Sequence, residues 1–277
     1  MRRTRTLLAA AGVGAAYTEA KFLDRTRRQH SRSCDAPNLT AAVEALDATG
    51  VVIVRSAVDA EMIAACRGTD SCANMPAAAS ASATRDWRIS AFGRYHRINF
   101  EESDVAAFEA VERRFWPLVT AFFKADGGST HDIYRSELQL LTATPESKNQ
   151  MWHSDNRRRG LTVIVPLVDF TLENGATQLL AGSHDASWRC VVNDGATVLQ
   201  APTGSIAAYD ARTYHRGLGN STEESRPALV FRYDRASSPP PGCGVAGSLA
   251  HAARATALHL TAEAWQQVWD RVSPAVR

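Results

Sequence analysis

From residue 133 onward the sequence consists of short apolar segments separated by turn signals. Asn174-Gly175, Asp194-Gly195 and Thr203-Gly204 lie between segments of this kind, and a run of three prolines at 239–241 closes the region. Several short strands at this spacing are typical of a sandwich or barrel of the jelly-roll kind, so the pattern predicts a mainly β fold with flanking helices. The strand candidates are residues 133–142, 161–168, 176–180, 197–201, 205–209 and 228–233.

The clearest helix precedes these strands. Apolar residues recur at spacings of three and four from about Asp104 to Gly127, which predicts one long helix with a buried face, kinked at Pro117. The aromatic stripe on this helix is interpreted as a core face rather than a ligand site. Its members are Val105, Phe108, Val111, Phe115, Leu118 and Phe122.

Shorter elements are predicted before this helix. Residues 40–48 form a helix that Gly50 ends, and a strand follows at 51–54. Asp59 is the expected N-cap of a helix that runs to about Arg67, with Gly68 after it. Residues 69–90 are rich in Ala, Ser and Thr and are predicted to form a long loop, either a lid or a simple insertion.

The basic residues are concentrated at the N-terminus. Residues 1–32 contain seven Arg and Lys21 against Glu19 and Asp24, a charge of +6, whereas the whole chain carries +2. The uncharged segment 6–18 is too short to span a bilayer, which needs about 20 apolar residues. Residues 1–37 are therefore predicted to be a basic arm, or a signal or transit peptide. The protein is expected to be soluble, in the cytoplasm or in an organelle.

The remaining residues are expected to form a single domain, 38–277. Its β core spans 133–235, helical and lid elements span 38–132, and a last helix lies near 261–272. The small net charge argues against a nucleic-acid binder. The five cysteines are odd in number and include no C-x-x-C pair, so they indicate neither a disulfide framework nor a cysteine zinc site.

The chemistry is indicated by the sequence Trp152-His153-Ser154-Asp155. In a strand, residues i and i+2 project to the same face, so His153 and Asp155 are predicted to reach a common point. His215, 62 residues later, is a candidate third ligand. Two histidines and one carboxylate form the facial triad of non-haem Fe(II) oxygenases. H-x-D alone is a weak signal, and a hydrogen-bonded histidine is the alternative.

Further motifs support this interpretation. Arg226 begins an apolar strand 11 residues after His215, and a buried arginine there would need an anion. Other segments of note are Gln150 to Asp155, Glu173 to Thr177, Ala181 to His184, His215 to Gly217 and Arg226-Pro227. With these segments the sequence resembles the phytanoyl-CoA dioxygenase family of Fe(II)- and 2-oxoglutarate-dependent oxygenases, over about residues 40–235.

The resemblance implies a fold, a cofactor and roles for particular residues. The fold would be a double-stranded β-helix, the cupin-like jelly roll. His153, Asp155 and His215 would be the catalytic Fe(II) ligands, and Arg226 would hold the distal carboxylate of 2-oxoglutarate. Gln150 and Thr177 match positions that contact this cosubstrate, while Gly217 departs from the serine often found two residues after the distal histidine. His184 is interpreted as structural.

The activity that the resemblance implies is oxidation of a small molecule by O₂, with release of succinate and CO₂. Hydroxylation is the expected outcome, because halogenating relatives replace the carboxylate ligand and Asp155 is present here. The alternatives are a jelly-roll isomerase or hydrolase that uses another metal at the same residues, and a non-catalytic binding protein. No nucleic-acid partner and no integral membrane segment are expected.

The substrate site is indicated only by closeness in sequence to the triad. Arg157, Arg158 and Arg159 follow the H-x-D motif and could attract an anionic substrate, with a solvated basic loop as the alternative. Other candidates for lining a pocket are Trp87, Phe92, Arg94, Trp152 and Tyr214.

Overall fold

The computed structural model describes residues 33–35, 38–75, 87–89, 92, 94–185 and 196–240. The helices in these ranges are α1 (Leu39–Thr49), α2 (Ala60–Arg67), α3 (Asp70–Ala73) and α4 (Glu102–Lys124), with one 3-10 turn at Ser183–Asp185. The strands are β1 (Ser33–Asp35), β2 (Val51–Arg55), β3 (Trp87–Ile89), β4 (Arg94–Arg97), β5 (Ile133–Ala143), β6 (Leu161–Pro166), β7 (Thr177–Leu180), β8 (Ala196–Val198), β9 (Ile206–Asp210), β10 (His215–Gly217) and β11 (Arg226–Arg235).

The strands form two sheets. The larger sheet has the order β1-β2-β9-β6-β11-β5-β4-β3, and the smaller has the order β10-β7-β8. Their pairings are antiparallel except that of β1 with β2. An isolated bridge between His153 and His215 extends the smaller sheet toward the H-x-D segment. This is the mainly β jelly-roll architecture that the sequence predicted.

Successive side chains of β11 point to opposite faces of the larger sheet. Leu229, Phe231 and Tyr233 are buried on one face, in the core that also contains the apolar stripe of α4. Phe115 of that stripe packs edge-on against Phe231, with ring centroids 5.1 Å apart. The intervening residues of β11 therefore face the smaller sheet, and Arg226 is one of them.

The helices largely follow the sequence prediction. Gly50 ends α1 in the left-handed conformation, with φ 77°, where its amide donates to Leu46 O. Asp59 is the N-cap of α2 as predicted, although its side chain makes no capping hydrogen bond. Pro117 lies inside α4, and the helix continues past it to Lys124.

The predicted loop over 69–90 is wrong at both of its ends. Thr69 is the N-cap of the short helix α3, and its Oγ1 accepts a hydrogen bond from Cys72 N. At the other end, β3 pairs with Tyr95–Arg97 of β4. An Ala- and Ser-rich composition did not reveal these elements because a single helical turn and a three-residue strand carry no measurable periodicity.

Both ends of the chain lie outside the residues that the structure describes. The predicted basic segment 1–32 and the predicted helix near 261–272 are among the residues that the structure does not describe. The strand β1 falls within the predicted arm 1–37 and pairs with β2, so the sheet begins before residue 38. No helix in the described ranges is long and apolar enough to cross a bilayer.

Candidate metal and anion site

His153, Asp155 and His215 come together at one end of a cavity between the two sheets. Each offers one ligand atom, and these atoms all lie within 4.8 Å of one another. The two histidines are held by reciprocal backbone hydrogen bonds, from His153 N to His215 O (3.0 Å) and from His215 N to His153 O (2.8 Å). The prediction that H-x-D stands in a strand is wrong, because His153 forms a single bridge and the chain bends at Asp155. The predicted convergence of the three side chains nevertheless occurs.

Backbone carbonyls fix both imidazole rings. His153 Nδ1 lies 2.7 Å from Met151 O, and His215 Nδ1 lies 2.9 Å from Thr213 O. A carbonyl oxygen can only accept, so each Nδ1 must carry a hydrogen, and Nε2 is the ring nitrogen that each histidine turns toward the cavity. Burial lowers the pKa of His215 to about 4, which keeps this ring neutral. The two imidazoles and the Asp155 carboxylate therefore form a group that could hold a metal ion.

The carboxylate of Asp155 is oriented by two hydroxyl groups. Its Oδ2 accepts from Thr162 Oγ1 at 2.7 Å and from Tyr209 OH at 3.4 Å. Burial alone would raise the pKa of Asp155, but neighbouring His215 and Arg232 and the Thr162 hydrogen bond together hold it below its ordinary value. Asp155 therefore presents an anionic oxygen beside the two imidazoles.

Hydrogen bonds with residues of β11 fix the loop that carries Asp155. Arg232 Nη2 donates to Asp155 O at 2.9 Å. The next residue, Asn156, donates from Nδ2 to the buried Asp234 Oδ1 at 2.6 Å and from its backbone N to Ala211 O at 3.0 Å. These contacts hold the loop in one position, which is what a preorganised metal site would require.

The other end of the same cavity, whose volume is about 100 Å³, is cationic. Arg226 and Arg94 are fully buried there and flank Ala143, which pairs with both of them across β11 and β4. Burial, together with the charge of Arg94, lowers the pKa of Arg226 to about 9. Arg226 stacks on Phe170 at 4.3 Å, and its Nε has no hydrogen-bond partner among the described residues. A buried guanidinium without an anion is costly, so this end fits a carboxylate.

Gln150 and Thr177 line this cavity. Gln150 Oε1 accepts from Gly217 N at 2.8 Å, and Gln150 N donates to Gly217 O at 2.8 Å. Gln150 therefore ties the H-x-D segment to β10 at the point where Gly217 lies against Arg94.

Among the predicted substrate residues, Arg94 lines the described part of the cavity, but Trp152, Arg157, Arg159 and Tyr214 do not. Arg159 instead binds Asp47 Oδ1 (2.8 Å) and Phe122 O (2.9 Å) on the helical side of the sheet. Arg216 lies over the ring of Trp152 at 4.8 Å. His184, interpreted as structural, has Nε2 3.1 Å from Asp47 O.

Several lining residues were missed by sequence reasoning. Alternation in the predicted strand 133–142 places Glu137, Gln139 and Leu141 on one face, and this signal could have been used. No local signal marked His96 or Tyr209, since their positions depend on strand pairing. The missed polar residues that line the cavity are His96, Glu137, Gln139, Thr162, Tyr209 and Arg232.

Comparison with known proteins gives a family and a fold. The family model described as phytanoyl-CoA dioxygenase (PhyH) matches residues 46–228. AviO1 from Streptomyces viridochromogenes Tue57 superposes with a TM-score of 0.56 at 18% identity, over 73% of this chain and 96% of that one. The epimerase SnoN, solved in complex with Fe3+, alpha ketoglutarate and nogalamycin RO, superposes with a TM-score of 0.54 at 19% identity, over 75% of this chain and 91% of that one.

A second SnoN structure, described as a non-heme alpha ketoglutarate dependent epimerase from nogalamycin biosynthesis, gives a TM-score of 0.52 at 20% identity. It covers 72% of this chain and 83% of that one. At these identities the solved structures establish the jelly-roll fold, and the chemistry has to be argued from the residues of this chain.

Proposed function

This chain belongs to the phytanoyl-CoA dioxygenase (PhyH) family, and we propose that it is a non-haem Fe(II)- and 2-oxoglutarate-dependent oxygenase that hydroxylates a small molecule. One observation carries this proposal. A cluster of two imidazole Nε2 atoms and one carboxylate stands at one end of a cavity, and the buried Arg226 stands at the other. A metal ion and a dicarboxylate together would satisfy both ends.

The residues present fit both groups. His153, Asp155 and His215 would hold the Fe(II), because two neutral imidazoles and a carboxylate are the donor set of the facial triad. Arg226 would bind the distal carboxylate of 2-oxoglutarate, with Arg94 beside it and Gln150 and Thr177 along its length. Fe(II) and 2-oxoglutarate, when bound, supply the activation of O₂ and the oxidising power that attacks the substrate.

The protein's own residues orient the three proposed ligands and provide the charges around the cosubstrate. The hydrogen bonds from Nδ1 to Met151 O and Thr213 O prevent the rings from turning and keep their protons away from the metal. Thr162 Oγ1 donates to Oδ2 of Asp155 and so directs the carboxylate toward the histidines. The two buried arginines would neutralise the charge of the cosubstrate at the anion end.

Anaerobic spectroscopy tests the proposal directly. Protein mixed with Fe(II) and 2-oxoglutarate should develop a weak visible charge-transfer band, and His153→Ala should abolish it. Absence of the band from folded, iron-loaded protein would favour the alternative of a jelly-roll isomerase or hydrolase with another metal. Succinate release with candidate substrates separates an enzyme from a binding protein of the same fold.

Hydroxylation is the proposed outcome within this class. SnoN is described as an epimerase, so product analysis has to separate oxygen insertion from other oxidations. A reaction run under ¹⁸O₂ and followed by mass spectrometry should give a product that carries the label. An oxidised product without label would contradict hydroxylation while leaving the cofactor assignment intact.

A further inference from the structure

Tyr209 places a hydroxyl group beside two of the three proposed metal ligands. Its oxygen, Oη, lies 3.2 Å from Nε2 of His215 and 3.4 Å from Oδ2 of Asp155. The two proposed ligands are themselves 3.6 Å apart, measured from Oδ1 of Asp155 to Nε2 of His215. The phenol oxygen therefore lies closer to the imidazole nitrogen than this carboxylate oxygen does.

The larger sheet fixes the phenol in this position. Tyr209 lies on β9, where it pairs with Val51 of β2 on one side and with Thr162 of β6 on the other. The side chain is buried, and its ring lies against that of His215, with centroids 4.6 Å apart and an interplanar angle of 47°. Oη is therefore next to the proposed metal site without any movement of the backbone.

The phenol has one hydrogen and two acceptors near it. His215 Nδ1 donates to Thr213 O, so in the neutral ring Nε2 is an acceptor, and it is the closer of the two acceptors to Oη. The hydrogen of Tyr209 is therefore directed at the lone pair that a metal ion would use. An ion that binds Nε2 has to displace this hydrogen bond, which leaves an oxygen lone pair beside the ion.

The distance between Oη and Nε2 also suits two ligands of one ion. Two ligand atoms at right angles on a first-row metal ion, each about 2.1 Å from it, are about 3.0 Å apart. The observed separation of 3.2 Å is close to this value. A facial triad leaves positions on the ion open, and tyrosine oxygen is a known ligand of iron in proteins.

From this geometry we propose that Tyr209 is a fourth protein ligand of the metal ion when 2-oxoglutarate is absent. The O–H bond breaks, the proton passes to solvent water, and Oη binds the ion as a phenolate, with no change in the oxidation state of the metal. The inference rests on the proposed function, because it takes His153, Asp155 and His215 as the metal site.

The fourth ligand belongs to the protein that awaits its cosubstrate. Chelating 2-oxoglutarate would take two of the three positions that the triad leaves open, and O₂ needs the third. A phenolate in one of these positions therefore has to be released before the reaction. In the resting protein it holds the ion more firmly and leaves fewer positions open to other ligands.

Visible spectroscopy of the ferric protein tests this inference without turnover. Protein loaded anaerobically with Fe(II) and then oxidised with ferricyanide, in the absence of 2-oxoglutarate, should develop a phenolate-to-iron charge-transfer band. Raman excitation within this band should enhance the vibrations of a tyrosine ring. A hydrogen bond from Tyr209 to the ligands, without ligation, gives no such band. Ferric protein that holds one iron per chain and lacks the band overturns the inference.

Two tyrosine variants identify the ligand. Tyr209→Phe keeps the ring and removes Oη, so it should still bind iron through the triad and lose the band completely. Tyr233→Phe is the matched control, because Tyr233 is also buried in the larger sheet but donates to Glu112 Oε1 at 2.8 Å on the helical side. This control should keep the band. A band that persists in Tyr209→Phe also overturns the inference.

The Fe(II)–2-oxoglutarate charge-transfer band separates this inference from the proposed function. If that band forms but the ferric protein shows no phenolate band, Tyr209 is not a ligand and the oxygenase proposal stands. If the ferric protein shows a phenolate band that depends on Tyr209 and the Fe(II)–2-oxoglutarate band never forms, the fourth ligand stands and the oxygenase proposal fails.

Discussion

A Cβ atom placed on Gly217 would lie 2.7 Å from Nη2 of Arg94 and 2.8 Å from its Cζ and Nε. The guanidinium of Arg94 therefore occupies the space that a side chain at position 217 would need. The family resemblance implies a serine at this position, two residues after His215, and Gly217 departs from it. In this chain, Arg94 takes the place of that side chain beside the proposed cosubstrate site.

Gly217→Ser should therefore displace Arg94 and weaken 2-oxoglutarate binding. The loss of one hydrogen bond to a charged group corresponds to about 10- to 100-fold in affinity. Titration of the anaerobic Fe(II) protein with 2-oxoglutarate measures this affinity. Shortening the neighbour, in Gly217→Ser with Arg94→Lys, should recover part of the loss. Gly68→Ser is the control, since a Cβ there makes ordinary contacts at 3.4 Å. Equal affinity in Gly217→Ser and the natural protein would contradict this account.

Arg226→Gln should have opposite effects on binding and on stability. Without the guanidinium, 2-oxoglutarate affinity should fall by about 100-fold or more, because a buried charged partner is lost. The cosubstrate-free protein should become more stable to urea, because burial of an uncompensated charge, which lowers the pKa of Arg226 to about 9, is relieved.

Arg212 is the comparison for Arg226, because it is an arginine that is paired with a carboxylate. Arg212 donates to both carboxylate oxygens of the buried Asp210, at 2.9 and 2.7 Å. Arg212→Gln should destabilise the protein, since it leaves a buried carboxylate with fewer partners. A loss of stability in Arg226→Gln as large as that in Arg212→Gln would show that Arg226 is already compensated without the cosubstrate.

Thr162→Val should weaken metal binding with little effect on the fold. The substitution keeps the shape of the side chain and removes the 2.7 Å hydrogen bond to Asp155 Oδ2. Loss of a contact that orients a ligand typically costs 10- to 100-fold in metal affinity, so about 10-fold is expected in a competition titration with a metal-binding dye. Thr162→Ser should retain most of the affinity. Thr142→Val is the control, because Thr142 Oγ1 contacts Met75 Sδ rather than the site.

The sequence predicted those features that depend on local patterns. The spacing of Phe108, Phe115 and Phe122 predicted the buried face of α4, and the apolar segment that follows Arg226 predicted β11. The grouping of His153, Asp155 and His215 could be predicted because two histidines and a carboxylate are a known metal-binding set. The three side chains do come together, although the H-x-D segment forms a single bridge at His153 and not a strand.

Features that depend on pairing between distant strands could not be predicted in this way. His96 reaches the cavity because β4 pairs with β5 in the register that places it beside Leu141. Tyr209 reaches Asp155 because β9 pairs with β6 and places it beside Thr162. The contact of Arg94 with Gly217 joins two strands in different sheets. A shift of one residue in any of these registers would turn the side chains to the opposite face, and local sequence does not determine the register.

The buried His215 should make the metal-free protein lose stability in acid. Its pKa is lowered by burial from 6.5 to about 4, so the unfolded chain binds a proton at pH 5 that the folded protein does not. The stability that this histidine contributes is therefore present above pH 6.5 and is lost as the pH falls toward 4. Linkage puts the loss at about 2 kcal/mol at pH 5. Urea unfolding at pH 7 and pH 5 measures it, and His215→Gln should unfold with a smaller difference between the two. An identical pH difference in the variant would mean that other groups cause the acid sensitivity.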